Sequence, residues 1–325
     1  MRSVAAILVV ALTLALPAAA AHTPEHLLSA VVAIHAEVPA DARTARSLGT
    51  ERQGSGVVID DAGLIVTIGY LILEAEAVEV VDRGGKRSPA EILAYDHATG
   101  FGLVRALHKL DTAPLALGDS SKLDEDSLVV VASREAEGAA APAVVVSRRP
   151  FAGYWEYLLE RAIFTAPPRL GWGGAALIDA DGRLVGIGSL FVGDAVPGPR
   201  PRPGNMFVPI DALKPILADL LTQGRSSAPP RPWIGVYAEE ARGRLLVNRL
   251  AAGGPAARAG IAEGDVILAV GDQPVDGLAD FYRKLWARGH AGVEVRLTVL
   301  RDTTTHDVTI KSQDRYDWLK LRRSY

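Results

Sequence analysis

Short apolar segments punctuated by Gly, Asp and Pro run through most of the chain. They include AVVAIHA (30–36), GVVID (56–60), LIVT (64–67), AVEVV (77–81), SLVVVAS (127–133), AVVVS (143–147), RLVGIGSLFV (183–192) and NMFVPI (205–210). Their length and β-branched content predict strands. Asp-Asp-Ala-Gly (60–63) and Asp-Ala-Asp-Gly (179–182) predict hairpin turns between them. Many short strands with little helix predict an antiparallel sandwich or barrel.

The pattern changes period after residue 210. Asp211 is placed to cap a helix whose stripe is Leu213, Ile216, Leu217, Leu220 and Leu221, with Gly224 as its stop. The polar, proline-rich run from Arg225 to Arg231 reads as a linker. Residues 232–312 then form a compact module. It has strands near Trp233–Val236 and Leu245–Asn248, a helix burying Leu278, Phe281, Tyr282, Leu285 and Trp286, and a closing hairpin over 293–310. The tail, 313–325, is too short to assign.

The N-terminus adds an address. Arg2 is followed by 13 mostly apolar residues, Val4–Leu16, and by small residues around Ala19–Ala21. This predicts a secretory leader over 1–21, since 13 residues fall short of the ~20 needed to span a bilayer. No other long apolar run follows, so a soluble, exported chain without a membrane span after cleavage is expected. The absence of cysteine rules out disulfides and thiolate metal sites. A formal net charge of -3 and 6% aromatics give no support for nucleic acid as a partner. No metal site and no cofactor are assigned.

Candidate chemistry comes from three blocks. They are Gly54-Ser55-Gly56-Val57-Val58-Ile59-Asp60 with Gly63-Leu64-Ile65-Val66-Thr67, then Asp96-His97-Ala98-Thr99-Gly100-Phe101-Gly102-Leu103-Val104, then RLGWGGAALIDADGRLVGIG (169–188) running on to Asn205-Met206-Phe207-Val208-Pro209. In order and spacing these resemble the secreted HtrA/Deg family of trypsin-like proteases. The resemblance implies a trypsin-like double β-barrel over 22–224. It also implies a histidine, an aspartate and a serine, which here fall on Tyr70, Gly100 and Gly173. The three triad positions therefore read as vacated. Tyrosine, with a pKa near 10, is a poor base at neutral pH, and glycine offers neither nucleophile nor carboxylate.

A displaced triad would need another base. The histidines are His22, His26, His35, His97, His108, His290 and His306. His97 adjoins Asp96, but neighbours on an extended segment point to opposite faces, so His97 reads as a surface turn residue. Ser189 matches the family strand that pairs with substrate backbone. Trp172 and the proline-rich GDAVPGPRPRPG (193–204) replace elements of the expected substrate cleft.

Residues 232–312 resemble a bacterial PDZ domain, an α+β fold, through Pro232-Trp233-Ile234-Gly235-Val236, Gly254-Pro255-Ala256-Ala257-Arg258-Ala259-Gly260-Ile261 and Gly264-Asp265-Val266-Ile267. That likeness implies capture of a peptide C-terminus by the backbone N–H groups of Trp233, Ile234, Gly235 and Val236. Phe281 and Leu285 serve either as pocket lining or as core, since one helix stripe supplies both.

The expectation is an inactive HtrA-like protease homologue in the periplasm. It binds peptide C-termini or unfolded protein segments as a chaperone-like scaffold or regulator in envelope quality control. The family resemblance implies a homo-oligomer, a trimer. The alternatives are an active serine endopeptidase with a displaced triad, and a structural module whose PDZ groove is closed.

Overall fold

A computed structural model describes residues 24–134 and 140–321. The leader expected over 1–21 lies outside them. The first barrel follows a short helix, α1 (Pro24–Ser29), and contains another, α2 (Ala45–Leu48). Its strands are β1 (Val31–Glu37), β2 (Glu51–Val58), β3 (Leu64–Ile68), β4 (Ala77–Val81), β5 (Arg87–Tyr95) and β6 (Phe101–Ala106), closed in the order β1-β2-β3-β6-β5-β4. The second barrel comprises β7 (Leu128–Ala132), β8 (Ala140–Gly153), β9 (Tyr157–Ala166), β10 (Ala176–Ile178), β11 (Leu184–Val196) and β12 (Arg202–Pro209), closed as β10-β11-β12-β9-β8-β7. Closure leaves no free sheet edge in either barrel.

All five residues of β3, Leu64–Ile68, are buried, because this strand faces both its own barrel interior and the second barrel. Thr67 survives there because its hydroxyl donates to Ser55 O at 2.6 Å. The barrels also meet backbone to backbone, where Ser55 N donates to Gly173 O at 2.8 Å. The adjoining Gly174 has φ +75°, and a Cβ there would collide with Ser55 O and lie 2.7 Å from Thr67 Oγ1. Gly174→Ala is therefore expected to cost about 3 kcal/mol or more through left-handed strain and overpacking, read as a lowered urea midpoint.

Two local expectations need correction. The segment after β12 is not one capped helix. Residues 210–212 form a 3-10 turn, and α3 begins only at Leu217, running to Gln223. Asp211 caps nothing in α3, because its carboxylate accepts from Ser120 Oγ and Ser121 N across the domain. Leu221 points outward at 40% exposure, while Gly224 stops the helix at φ 72° as expected. The proline-rich run at 193–204 is not a loop throughout. β11 and β12 extend into it as a hairpin, pairing Val196 with Arg202.

The C-terminal domain is one antiparallel sheet ordered β13 (Val236–Ala241), β14 (Arg244–Leu250), β15 (Val266–Val270), β17 (Glu294–Arg301), β18 (Thr304–Lys311), with β16 (Gln273–Pro274) on β15. α4 (Pro255–Ala259) and α5 (Leu278–Trp286) complete it, followed by a single turn, α6 (Arg315–Trp318), in the tail. β13 is one of the sheet's two edge strands, β18 the other.

The tail, unassigned from sequence, bridges the two domains. Trp318 packs against Trp233 at 4.9 Å with the rings tilted by 42°, and Arg43 of the barrel lies over Trp318 at 5.3 Å. Tyr316 Oη donates to Tyr95 O at 2.7 Å and Lys320 N to Glu74 Oε1 at 2.7 Å, while Lys320 Nζ pairs with Asp41.

Candidate functional site

The cleft where a trypsin-like catalytic centre would lie is a cavity of about 330 Å³ lined by Tyr70, Gly100, Trp172 and Ser189 among others. Tyr70 sits in a one-turn 3-10 helix, Gly69–Leu71, directly after β3. Buried Arg52 holds that turn, its Nη1 donating to Tyr70 O at 2.7 Å and Leu73 O at 2.8 Å. The Tyr70 hydroxyl donates to Ser189 O at 2.9 Å. A register shift in the β11–β12 ladder falls between Gly188 and Leu190, beside that carbonyl. A Cβ on Gly173 would lie 2.9 Å from Tyr70 Oη. A side chain on residue 173 would thus run into the Tyr70 hydroxyl, and the phenol covers the carbonyl of the strand expected to pair with substrate.

Gly100 stands on the same cavity with φ +86°. A Cβ there would meet Tyr157 Oη at 3.0 Å, and that hydroxyl donates to Thr99 O at 2.6 Å. Asp96, the carboxylate nearest in sequence, accepts from Thr99 N and Thr99 Oγ1 at 2.9 and 2.6 Å. Trp172 lines the cavity without filling it, its ring 5.8 Å from Phe191.

None of the histidines with a described side chain lines this cavity. His35 pairs across the sheet with Gln53 and Glu79, and His108, His290 and His306 are exposed. His97 is no open surface residue. It is half-buried, 4.7 Å from the ring of Tyr316, and shares a pocket with Arg231 and Arg315. Burial first, then Arg315, Arg231 and Arg225, pushes it down to about 3. A depressed pKa means stability fully present above the free value of about 6.5 and lost as pH falls toward 3. Between pH 7 and 4 the native chain is expected to lose more melting temperature than H97Q, measured by differential scanning calorimetry in matched buffers.

In the C-terminal domain, the Ile234–Val236 backbone already holds a carboxylate. Ile234 N donates to Glu156 Oε2 at 3.2 Å, and Gly235 N and Val236 N donate to Glu156 Oε1 at 2.6 and 2.9 Å. Glu156 belongs to the β8–β9 turn of the barrel and is buried. Burial pushes its carboxyl up to about 7, against the pull of those donors. Trp233 does not join them, as its N–H pairs with Gln313 O at 3.1 Å.

Phe281 and Leu285 are both fully buried in the domain's core, in one cluster with Leu158 of the barrel. The α5 residue that meets the Glu156 turn through a polar group is Tyr282. Its hydroxyl donates to Gly153 O at 2.8 Å and accepts from Glu156 N at 3.0 Å. Sequence reading placed Tyr282 only in an apolar stripe and missed Glu156, Arg52 and Trp318. The one signal for Glu156 was a carboxylate among aromatics in Tyr154-Trp155-Glu156-Tyr157.

Comparison with known proteins matches both domains. The family model for trypsin-like peptidase domains matches residues 54–187, and that for PDZ domains matches 232–312. A serine protease Do-like HtrA of Lactobacillus helveticus is 26% identical over 294 residues, 81% of this chain and 69% of that protein. A putative serine protease HhoA of Synechocystis is 28% identical over 287 residues, 80% and 70% respectively. A probable periplasmic serine endoprotease, DegP-like, of Bartonella henselae is 25% identical over 279 residues, 79% of this chain and 52% of that protein. The chain thus spans between about half and 70% of these relatives' lengths. Among solved structures, the HtrA-type protease AlgW with tripeptide has a TM-score of 0.53 at 21% identity, covering 90% of this chain and 95% of its own. The serine endoprotease from Yersinia pestis scores 0.52 at 22% identity, with coverage of 89% and 96%.

Proposed function

This chain belongs to the HtrA family, a trypsin-like domain joined to a PDZ domain, and from that premise we propose that it is a protease homologue without proteolytic activity. In this reading it works by binding protein segments in the cell envelope. The observation that carries the first half is that the Tyr70 hydroxyl occupies the space a side chain on residue 173 would need. A phenol hydrogen-bonded to Ser189 O stands where a histidine would face a serine, and the opposing residue has no side chain. Gly100 supplies no carboxylate, and Tyr157 stands over the space that one would need. With no nucleophile, base or orienting acid at these three positions, any remaining rate there is orders of magnitude below that of an intact triad.

The PDZ domain supports the second half, since an edge strand beside a helix, with an amide cluster at one end, takes an extended peptide. AlgW is known with a tripeptide bound. The expected ligands are peptide C-termini or unfolded segments, met in the periplasm, where relatives of this chain are described as acting. Assembly into a trimer belongs to the same reading. Incubation with unfolded casein tests the whole. The expected result is retention of intact casein in a complex over many hours, and steady appearance of fragments sinks the proposal.

A further inference from the structure

The Glu156 turn resembles a ligand more than ordinary domain packing. One carboxylate takes three consecutive backbone N–H groups, from Ile234, Gly235 and Val236. Such a concave set of amides is an anion nest. The chain leading to Glu156 lies along the edge strand, where Ala238 N donates to Tyr154 O at 3.1 Å. This is the main-chain bonding by which a peptide adds to a sheet edge. Tyr282, on the opposite groove wall, grips the same turn at Gly153 O and Glu156 N. Arg315 Nη1 adds a bond to Trp155 O at 3.1 Å. Glu156 itself is held at φ 57°, a left-handed conformation that a non-glycine residue keeps only when its surroundings fix it.

We propose that the barrel's own turn, Gly153–Tyr157, is the resident ligand of the PDZ groove. The Glu156 side-chain carboxylate sits in the seat of a peptide's terminal carboxylate, so an outside C-terminus binds only by evicting it. The proposal rests on reading this groove as a peptide site. It names the ligand class as chains ending in a free carboxylate. It also gives the groove a regulator, because eviction withdraws the anchor that ties β8 and β9 to the C-terminal domain. A tethered competitor acts at an effective concentration in the millimolar range, so apparent affinity for outside peptides falls in proportion to the docked fraction.

The test uses the full chain and two measurements. The first is fluorescence anisotropy with a fluorescein-labelled decapeptide pool, random except for an apolar last residue, made with free and with amidated C-termini. The second is hydrogen exchange at the Gly235 and Val236 amides without peptide. Glu156→Ala is expected to bind the free-carboxylate pool at least tenfold more tightly than the native chain, with the amidated pool bound by neither. The two amides should exchange at least tenfold faster in that variant. Should Glu156→Ala fail to fold by circular dichroism, Glu156→Gln carries the same comparison with at least a threefold change in each readout. Equal affinities in native and variant chains, or amides whose protection does not change, overturn the resident ligand. If neither chain binds the pool while the amides speed up, the resident ligand stands and the peptide-binding reading falls.

Discussion

Replacing Trp318 with alanine is expected to loosen the seam between the two domains while leaving each one folded. Trp318 is 9% exposed, packed against Trp233, covered by Arg43, and bonded from Nε1 to Ala252 O at 3.4 Å. Truncating a buried tryptophan costs about 3–5 kcal/mol. Here the loss falls on an interface and not on a domain core, since Trp318 clusters with Leu73 of the barrel and with Trp233, Ala251 and Leu319 of the C-terminal half. The surface pairs nearby, Arg225–Asp314 and Lys320–Asp41, are exposed at one or both ends and offset little of that. Limited trypsin digestion reads the result. Cleavage after Arg225 should become fast in Trp318→Ala, giving two resistant fragments, whereas the native chain stays whole. Uniform degradation of both fragments would mean that Trp318 supports a core.

The second large effect is a gain. Tyr70→His combined with Gly173→Ser is expected to create weak hydrolysis of an unstructured substrate, against none expected from the native chain. The phenol oxygen lies 2.9 Å from where a Cβ on residue 173 would stand. A shorter imidazole in place of the phenol leaves room for a hydroxyl within hydrogen-bond reach. Without the carboxylate the rate should sit about 10⁴-fold below that of a full triad. Gly100→Asp added to the pair is expected to gain nothing by itself. Residue 100 has φ +86°, and the Tyr157 ring stands against its Cβ position. Only the further change Tyr157→Ala clears that space. Steady-state kcat/KM across the series checks the order of these effects.

Much of this molecule was legible in its residues. The β-branched runs located strands in both barrels, because a strand buried against a barrel interior must be apolar at alternate or at all positions. The resemblance of the three blocks to the HtrA/Deg family put Tyr70 at the histidine position and Gly173 at the serine position. What stayed hidden was long-range pairing of single residues. Glu156 lies 80 positions from Val236, and Trp318 lies 85 from Trp233, so no local period marks either. His97 read as a surface residue because its cover is Tyr316, on a tail with no pattern of its own. Asp211 had the chemistry of a helix cap but found Ser120 and Ser121 instead, and α3 started six residues later without it. In each case a tertiary partner outbid a local one.

Fluorophosphonate labelling of the purified native chain tests the proposed loss of the catalytic centre most directly, because the reagent reports any activated serine wherever it sits. The Tyr70→His, Gly173→Ser pair serves as the positive control. The account predicts no labelling of the native chain under conditions in which that pair reacts. Labelling of the native chain that one Ser→Ala change abolishes would contradict it.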